Sequence, residues 1–301
     1  MIAAAPPPPG MIAYDHVPFD RRHMFVALER ADGTQRRVVL RGAYDPAWSP
    51  DGRYLAAFRG GYVVVATSGG RVVRRIPAVG SPEYLSWSPD GRWLAYVTMH
   101  CAGDCGTVWV VRTGGGGQRR ASREQGVSLI DSRDRPYSWS PDGRRIVFTG
   151  FWHVVVSNIF TGARHPVVAT SSFANPDWSP DGRRLLYRYG EELVTSAPDG
   201  SDRRVVPFTA RPLVATWSPG GGRIAFIREV GGGDWRLVVS RPDGSQRLLL
   251  GRVHSHDLLL WSADGQWVLV AAADDTRFEL FRADGRAKPR FVTGGPDGDW
   301  R

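Results

Sequence analysis

The residues best suited to catalytic chemistry form one histidine cluster, His254-Ser-His256-Asp257. Alternate residues of a strand point to the same side, so His254 and His256 could bind one divalent metal ion. Such an ion would support a metal-assisted enzyme. The other five histidines do not recur at equivalent positions. We therefore predict no catalytic residue and no cofactor, and keep the enzyme with a divalent ion on His254 and His256 as the alternative.

The chain contains two cysteines, Cys101 and Cys105, separated by three residues. Two thiols that close a tight loop between strands suit a disulfide in an oxidising compartment. A metal site would need two further ligands, and a redox-active pair would show Cys-x-x-Cys near a βαβ pattern. Reduced cysteines without a role are the other alternative. We predict a disulfide and favour a periplasmic or secreted bacterial protein, with a cytoplasmic location as the alternative.

The formal charge of +9 over 301 residues raises the question of a nucleic-acid partner. Lys288 is the only lysine, and the arginines are spread through the whole chain rather than gathered in one stripe. This distribution does not favour nucleic acid. No apolar run approaches the roughly 18 residues that a membrane-spanning helix needs. We expect a monomer without a membrane span and with a protein or peptide partner.

A repeated turn organises the elements that must position these residues. The motif Trp-Ser-Pro-Asp-Gly-Arg begins at Trp48, Trp87, Trp139 and Trp178, and looser copies begin at Trp217 and Trp261. The copies follow one another at intervals of 39, 52, 39, 39 and 44 residues. A period near 40 is typical of four-stranded propeller blades. Each tryptophan recurs at one place in its unit, so we predict that it packs between neighbouring sheets.

Asp-Gly and Gly-Gly corners predict a hairpin near the end of every unit. Seven such hairpins indicate an all-β fold, a β-propeller of seven four-stranded antiparallel blades, with six blades as the alternative. We divide the chain into a proline-rich tether (1–10), the propeller (11–293) and a tail (294–301). The first blade lacks an inner strand, which the tail could supply to close the ring.

The Trp-Ser-Pro-Asp-Gly-Arg repeats, each followed by an apolar run and an Asp-Gly hairpin, resemble the TolB-type propeller repeat. The resemblance covers nearly the whole chain and implies the fold more than the function, because one fold hosts many activities. Envelope TolB proteins carry an α/β domain before a six-bladed propeller, and this chain departs from both features. Their lipoprotein partners are therefore not carried over. The related oligogalacturonate lyases would use several channel histidines. The related prolyl-oligopeptidase peptidases need a Gly-x-Ser-x-Gly nucleophile elbow, and this sequence contains none.

The channel mouth of a propeller is built by the loops that lead into each inner strand. Convergent polar groups around a central concavity form the default binding-site hypothesis. The longest such loop lies within Gln118 to Tyr137 and includes Ser128-Leu-Ile-Asp131 as a partner-contacting element. We therefore predict a non-enzymatic scaffold that binds a protein or peptide at one mouth. The predicted binding residues are Tyr44, Asp45, Glu83, Tyr84, Asp134, Arg135, Asn175, Arg211, His256 and Asp257.

Overall fold

The fold is a ring of seven antiparallel sheets, seen in a computed structural model. The structure describes residues 10–18, 23–100, 105–122, 127–128, 136–150, 152–170, 174–207, 209, 211–255, 258–272, 276–295 and 298–301. These residues contain no helix, and therefore none that could cross a membrane. The all-β, seven-bladed prediction is confirmed, and the six-bladed alternative is wrong because seven separate sheets form.

The first three blades follow the chain in order. Blade 1 contains β1 (Met11–His16), β2 (Phe25–Arg30) and β3 (Arg37–Arg41). Blade 2 contains β4 (Tyr44–Trp48), β5 (Tyr54–Arg59), β6 (Tyr62–Thr67) and β7 (Val72–Pro77). Blade 3 contains β8 (Pro82–Trp87), β9 (Trp93–His100), β10 (Cys105–Arg112) and β11 (Arg119–Arg120), and β12 (Val127–Ser128) pairs with β10.

The remaining blades repeat the same inner-to-outer order. Blade 4 contains β13 (Tyr137–Trp139), β14 (Arg145–Thr149), β15 (His153–Asn158) and β16 (Arg164–Ala169). Blade 5 contains β17 (Asp177–Trp178), β18 (Leu185–Tyr189), β19 (Glu192–Ser196) and β20 (Arg204–Val205). Blade 6 contains β21 (Pro212–Trp217), β22 (Ile224–Glu229), β23 (Trp235–Ser240) and β24 (Leu248–Val253). Blade 7 contains β25 (Leu259–Trp261), β26 (Trp267–Ala271), β27 (Arg277–Arg282) and β28 (Arg290–Thr293).

The C-terminal segment closes the ring through β29 (Gly298–Trp300), which pairs antiparallel with β1. It becomes the inner strand of blade 1, the strand that the N-terminal unit lacks. The Arg301 amide donates to the carbonyl of Met11 at 2.9 Å. Trp300 stands 39 residues after Trp261, the same interval as elsewhere, and is only 6% exposed. It is therefore the seventh repeat tryptophan.

Hydrogen bonds inside the repeated turn explain why its sequence recurs. The Ser49 hydroxyl donates to Asp51 Oδ1 at 2.6 Å and accepts from the Tyr54 amide at 2.9 Å. The Arg53 amide also donates to Asp51 Oδ1, at 3.0 Å. Gly52 has a φ of 69°, a left-handed conformation that costs glycine little. Serine–aspartate bonds of the same kind recur at Ser88–Asp90, Ser140–Asp142, Ser179–Asp181 and Ser262–Asp264.

Hydrophobic clusters between neighbouring sheets form the core. One cluster joins blades 3 and 4 through Trp93, Val97, Trp139 and Phe148. Six of the seven repeat tryptophans are buried, and Trp87 alone among them is partly exposed. Because every blade buries surface on two neighbours, each one is held by its interfaces rather than by a core of its own.

The antiparallel order gives the ring two different faces. One face carries the repeated turns, such as residues 49–53, and the third-to-fourth strand turns, such as residues 113–118; we call it the turn face. The other face carries the second-to-third strand turns, such as residues 60–61, and the connections between blades, such as residues 78–81; we call it the mouth face.

Candidate functional site

Five of the residues that directly precede a repeat tryptophan line the channel. Alternation along the inner strands turns each of these side chains toward the axis while the next one packs between blades. A cavity of about 270 Å³ runs along the inner strands of blades 3 to 7. Its lining includes the preceding residues Ser86, Ser138, Asp177, Thr216 and Leu260.

Asp177 is the most heavily hydrogen-bonded of these channel residues. Its Oδ1 accepts from the Ser138 hydroxyl at 2.8 Å. Its Oδ2 accepts from the Thr216 hydroxyl at 3.0 Å and from the Trp217 amide at 2.9 Å. Desolvation by the surrounding blades raises the pKa of this carboxyl, although the hydrogen bonds oppose the rise. One side chain therefore connects blades 4, 5 and 6.

Two further carboxylates join neighbouring blades in the same manner. Asp299 Oδ2 accepts from the Trp48 amide at 2.8 Å, which ties the closing strand to blade 2. Asp45 donates its amide to Asp15 Oδ2 at 2.8 Å, and its own Oδ2 accepts from the Leu85 amide at 2.9 Å. Buried carboxylates with backbone partners contribute to the assembly of the ring, because each satisfies a buried N–H group.

The predicted mouth residues fall into different environments. Asp45 is 7% exposed and occupied by the contacts just described, whereas Tyr44 donates its hydroxyl to the Pro82 carbonyl at 3.2 Å. Glu83 and Tyr84 are partly exposed. Asn175 lines the channel cavity. Arg211 is exposed, and its Nε lies 3.6 Å from Glu191 Oε2. Four of the predicted residues lie outside the described residues: Asp134, Arg135, His256 and Asp257.

A left-handed backbone is shared by four of these positions, Asp45, Tyr84, Asn175 and Arg211, with φ between 39° and 61°. Such a conformation is uncommon outside glycine and is best tolerated by asparagine and aspartate. In β4 and β8 it coincides with register shifts beside the inner strand, and Arg211 directly precedes β21, whose register shifts between Pro212 and Val214. These bulges turn the chain from the mouth face into the channel, which carries some of the side chains inward.

The histidine cluster is described only in part. His254 lies on the mouth face at the end of β24, and its Nδ1 is 3.3 Å from Oε1 of Glu279, a buried residue of β27. Within the described ranges, no three His, Cys, Asp or Glu side chains converge to hold a metal ion. Since His256 lies outside those ranges, the two-histidine metal site stays a prediction.

Cys105 begins β10 and is buried and disulfide-bonded. Cys101, the only other cysteine of the sequence, lies outside the described residues. The Cys101–Cys105 pairing therefore stays a prediction. Cys105 also pairs with Ser128 of β12, so this region connects the long predicted loop to blade 3. Residues 129–131 of the predicted contact element Ser128-Leu-Ile-Asp131 lie outside the described residues.

Exposed apolar side chains on the mouth face were not predicted. Trp152, in the β14–β15 connection, is 67% exposed, the largest value among the exposed large hydrophobic residues described. Tyr62, at the start of β6, and Val79 and Val230, in connections, are exposed on the same face. The sequence offered only an aromatic residue at the start of an apolar run, and Trp152 falls just outside the strand because β15 begins at His153.

Comparisons with known proteins agree on the fold. No family model and no curated protein matches the chain. A TolB-designated protein from Agrobacterium tumefaciens is similar, with 20% identity over 87% of this chain and 96% of that chain, and a TM-score of 0.57. A periplasmic gluconolactonase from Pseudomonas aeruginosa matches with 17% identity over 97% and 98%, and a TM-score of 0.63. An oligogalacturonate lyase from Vibrio parahaemolyticus matches with 13% identity over 94% and 86%, and a TM-score of 0.60. At these identities the likeness shows the fold alone, and the TolB-type resemblance is confirmed at that level.

Proposed function

We propose that this propeller is a non-enzymatic scaffold that binds a protein or peptide on its mouth face. The observation that carries the proposal is Trp152, a large apolar side chain of the mouth face that is 67% exposed. Burial of such a side chain on binding is favourable, and tryptophan is enriched among the residues that dominate interface energies. Tyr62, Val79 and Val230 are further exposed apolar side chains on the same face, in other parts of the ring.

The channel itself supports a structural role for its carboxylates. Asp177, Asp45 and Asp299 are each engaged by backbone amides of a neighbouring blade. A general base must be able to approach a substrate proton, and oxygens of these three carboxylates already accept hydrogen bonds from neighbouring blades. The polar groups of the mouth face that remain exposed, such as Arg211, are then available to a partner rather than to a reaction.

Site-specific photocrosslinking tests the proposal. A benzophenone amino acid at position 152 should form adducts with the partner in an extract of the source cells. The matched control is position 160, because Phe160 is 47% exposed in the same blade but on the turn face. Adducts at position 152 and not at position 160 support the proposal. Equal adducts at both positions, or adducts at position 160 alone, would refute it.

A second candidate function is a metal-dependent lyase or a lactone hydrolase. The gluconolactonase and the oligogalacturonate lyase share the fold, and His254 faces a buried carboxylate, Glu279, at 3.3 Å. A histidine paired with a carboxylate is a common arrangement in metal centres. Elemental analysis of the purified protein separates the candidates: a stoichiometric divalent ion lost in the His254→Ala variant would favour the enzyme.

The disulfide bond of Cys105 supports a location outside the reducing cytoplasm. We therefore include a periplasmic or secreted location in the proposal. Recovery of the protein from the cytoplasmic fraction alone, with reduced cysteines, would contradict it.

A further inference from the structure

A cavity of about 670 Å³ lies on the turn face, between blades 2 and 3. Its walls come from the β4–β5 turn, the β8–β9 turn and the glycine-rich β10–β11 turn. Two aromatic side chains, Tyr54 and Trp87, line it together with the carboxylates of Asp51 and Asp90. We call this cavity the blade 2/3 cleft.

Two other blade interfaces show what such a cleft accepts. Between blades 4 and 5, the Arg145 guanidinium lies 4.7 Å from the ring centroid of Trp178. Between blades 6 and 7, the Arg223 guanidinium lies 5.4 Å from the ring centroid of Trp261. Both arginines follow the repeat tryptophan of their own blade by six residues and cover the tryptophan of the next blade. The chain therefore uses guanidinium stacking at this position in two of its interfaces, whereas Arg184 at the same position of blade 5 donates to Asp202 Oδ2 instead.

The equivalent position at the blade 2/3 interface is Tyr54, which follows Trp48 by six residues. Among the described residues, no guanidinium lies over the Trp87 ring, and Trp87 is partly exposed. By contrast, Trp178 is 4% and Trp261 is 8% exposed. The cavity at the blade 4/5 interface has corresponding walls but is smaller, about 460 Å³, and includes Arg145 itself. Trp87 is therefore left uncovered where two other interfaces supply an arginine.

The residues that line the cleft carry two carboxylates, Asp51 and Asp90, and one guanidinium, Arg74, so the lining has a negative balance that suits a cation. The Asp51 carboxylate is ionised at neutral pH, since the hydrogen bond from Ser49 lowers its pKa. Arg74 donates to the Gly114 carbonyl at 3.3 Å, and Arg53 lies over the Tyr54 ring. Arg92 lies 3.9 Å from Asp90. These arginines have partners at the border of the cleft and do not cover Trp87.

We propose that the blade 2/3 cleft binds an arginine side chain of a partner polypeptide, whose guanidinium stacks on Trp87. A planar guanidinium stacks on an indole better than a compact, strongly hydrated ammonium does, so arginine should be preferred to lysine. The cleft lies on the turn face and the proposed scaffold surface lies on the mouth face. Failure of one proposal therefore leaves the other standing.

The indole N–H resonance of Trp87, assigned with the Trp87→Phe variant, reports binding directly. Acetyl-arginine amide should shift this resonance, and acetyl-lysine amide should shift it with about tenfold lower affinity, a difference within the range of cation–π energies. No shift with the arginine probe, or equal affinity for the lysine probe, would overturn the proposal.

A substitution that reproduces the arginine of the other two interfaces gives a second test. Tyr54→Arg should place the chain's own guanidinium over Trp87 and weaken binding of the arginine probe about tenfold. Tyr62→Arg is the matched control, because it makes the same substitution at an exposed residue of the mouth face. Equal binding by the two variants would overturn the proposal.

In the reverse direction, Arg145→Tyr should uncover Trp178 and let the arginine probe shift the indole resonance of Trp178. An unchanged Trp178 resonance would count against the proposed stacking.

Discussion

Removal of the Trp300 side chain should destabilise the whole ring. Trp300 is 6% exposed and packs in one cluster with Ile12, Tyr14 and Trp267, which belong to β1 and blade 7. Truncation of a buried tryptophan to alanine costs about 3–5 kcal/mol, because transfer energy is lost and a cavity remains. We therefore expect Trp300→Ala to lower the free energy of unfolding by about that amount.

The expected loss of stability is large because few hydrogen bonds hold the closing strand β29. The β1–β29 ladder pairs only three residues, from Ile12↔Trp300 to Tyr14↔Gly298. Asp299 Oδ2 accepts from the Trp48 amide, and the Arg301 amide donates to the Met11 carbonyl. Without the indole, this short strand should detach and leave β1 as an exposed edge of blade 1.

Urea unfolding, followed by far-ultraviolet circular dichroism, measures the effect. Phe291→Ala is the matched control, because Phe291 is an aromatic residue of the outer strand β28 that is 56% exposed. The control should change the free energy of unfolding by about 0.5 kcal/mol or less. If Trp300→Ala cost no more than this control, the closing strand would not be holding the ring and our account of closure would be wrong.

Three further predictions concern charge and covalent structure. Asp177→Ala should lower the free energy of unfolding by about 1–3 kcal/mol, because it leaves the Trp217 amide unpaired. Asp177→Asn should lower it less, because asparagine keeps an acceptor oxygen. Denaturant unfolding of both variants measures the two effects. Asp51 has a lowered pKa, so its stabilising contribution is present at neutral pH and is lost as the pH falls through that lowered value. The difference in free energy of unfolding between the wild type and Asp51→Asn should therefore disappear in acid. A difference that stays constant with pH would contradict the assignment. Cys101 and Cys105 should be unreactive to thiol reagents in unfolded, unreduced protein, and two reactive thiols would exclude the bond.

The repeat pattern predicted the blades because each turn carries its own local code of serine, proline, aspartate and glycine. Ring closure was harder to predict, since Trp300 keeps the 39-residue interval but has no Ser-Pro-Asp-Gly after it. Its inner strand is completed by pairing with β1, almost the full chain length away, and no local pattern encodes such a contact.

The candidate site was less predictable than the fold. The position of Asp45 in the sequence predicted a residue of the channel mouth. Its backbone is left-handed, however, and its carboxylate accepts a hydrogen bond from the Leu85 amide inside the ring. Asp177 was not predicted as a channel residue, although it directly precedes a repeat tryptophan. Its role depends on donors from two other blades, which only the assembled ring brings together.

The most direct test of the account compares partner binding by two variants of the full chain. Trp152→Ser removes an exposed side chain of the mouth face, and Asp177→Asn removes the charge of the channel carboxylate without removing its acceptor. We predict that Trp152→Ser weakens partner binding at least about tenfold, the loss of a typical interface hot spot, while Asp177→Asn binds as the wild type does. Unchanged binding by Trp152→Ser together with loss in Asp177→Asn would contradict the account and place the function in the channel.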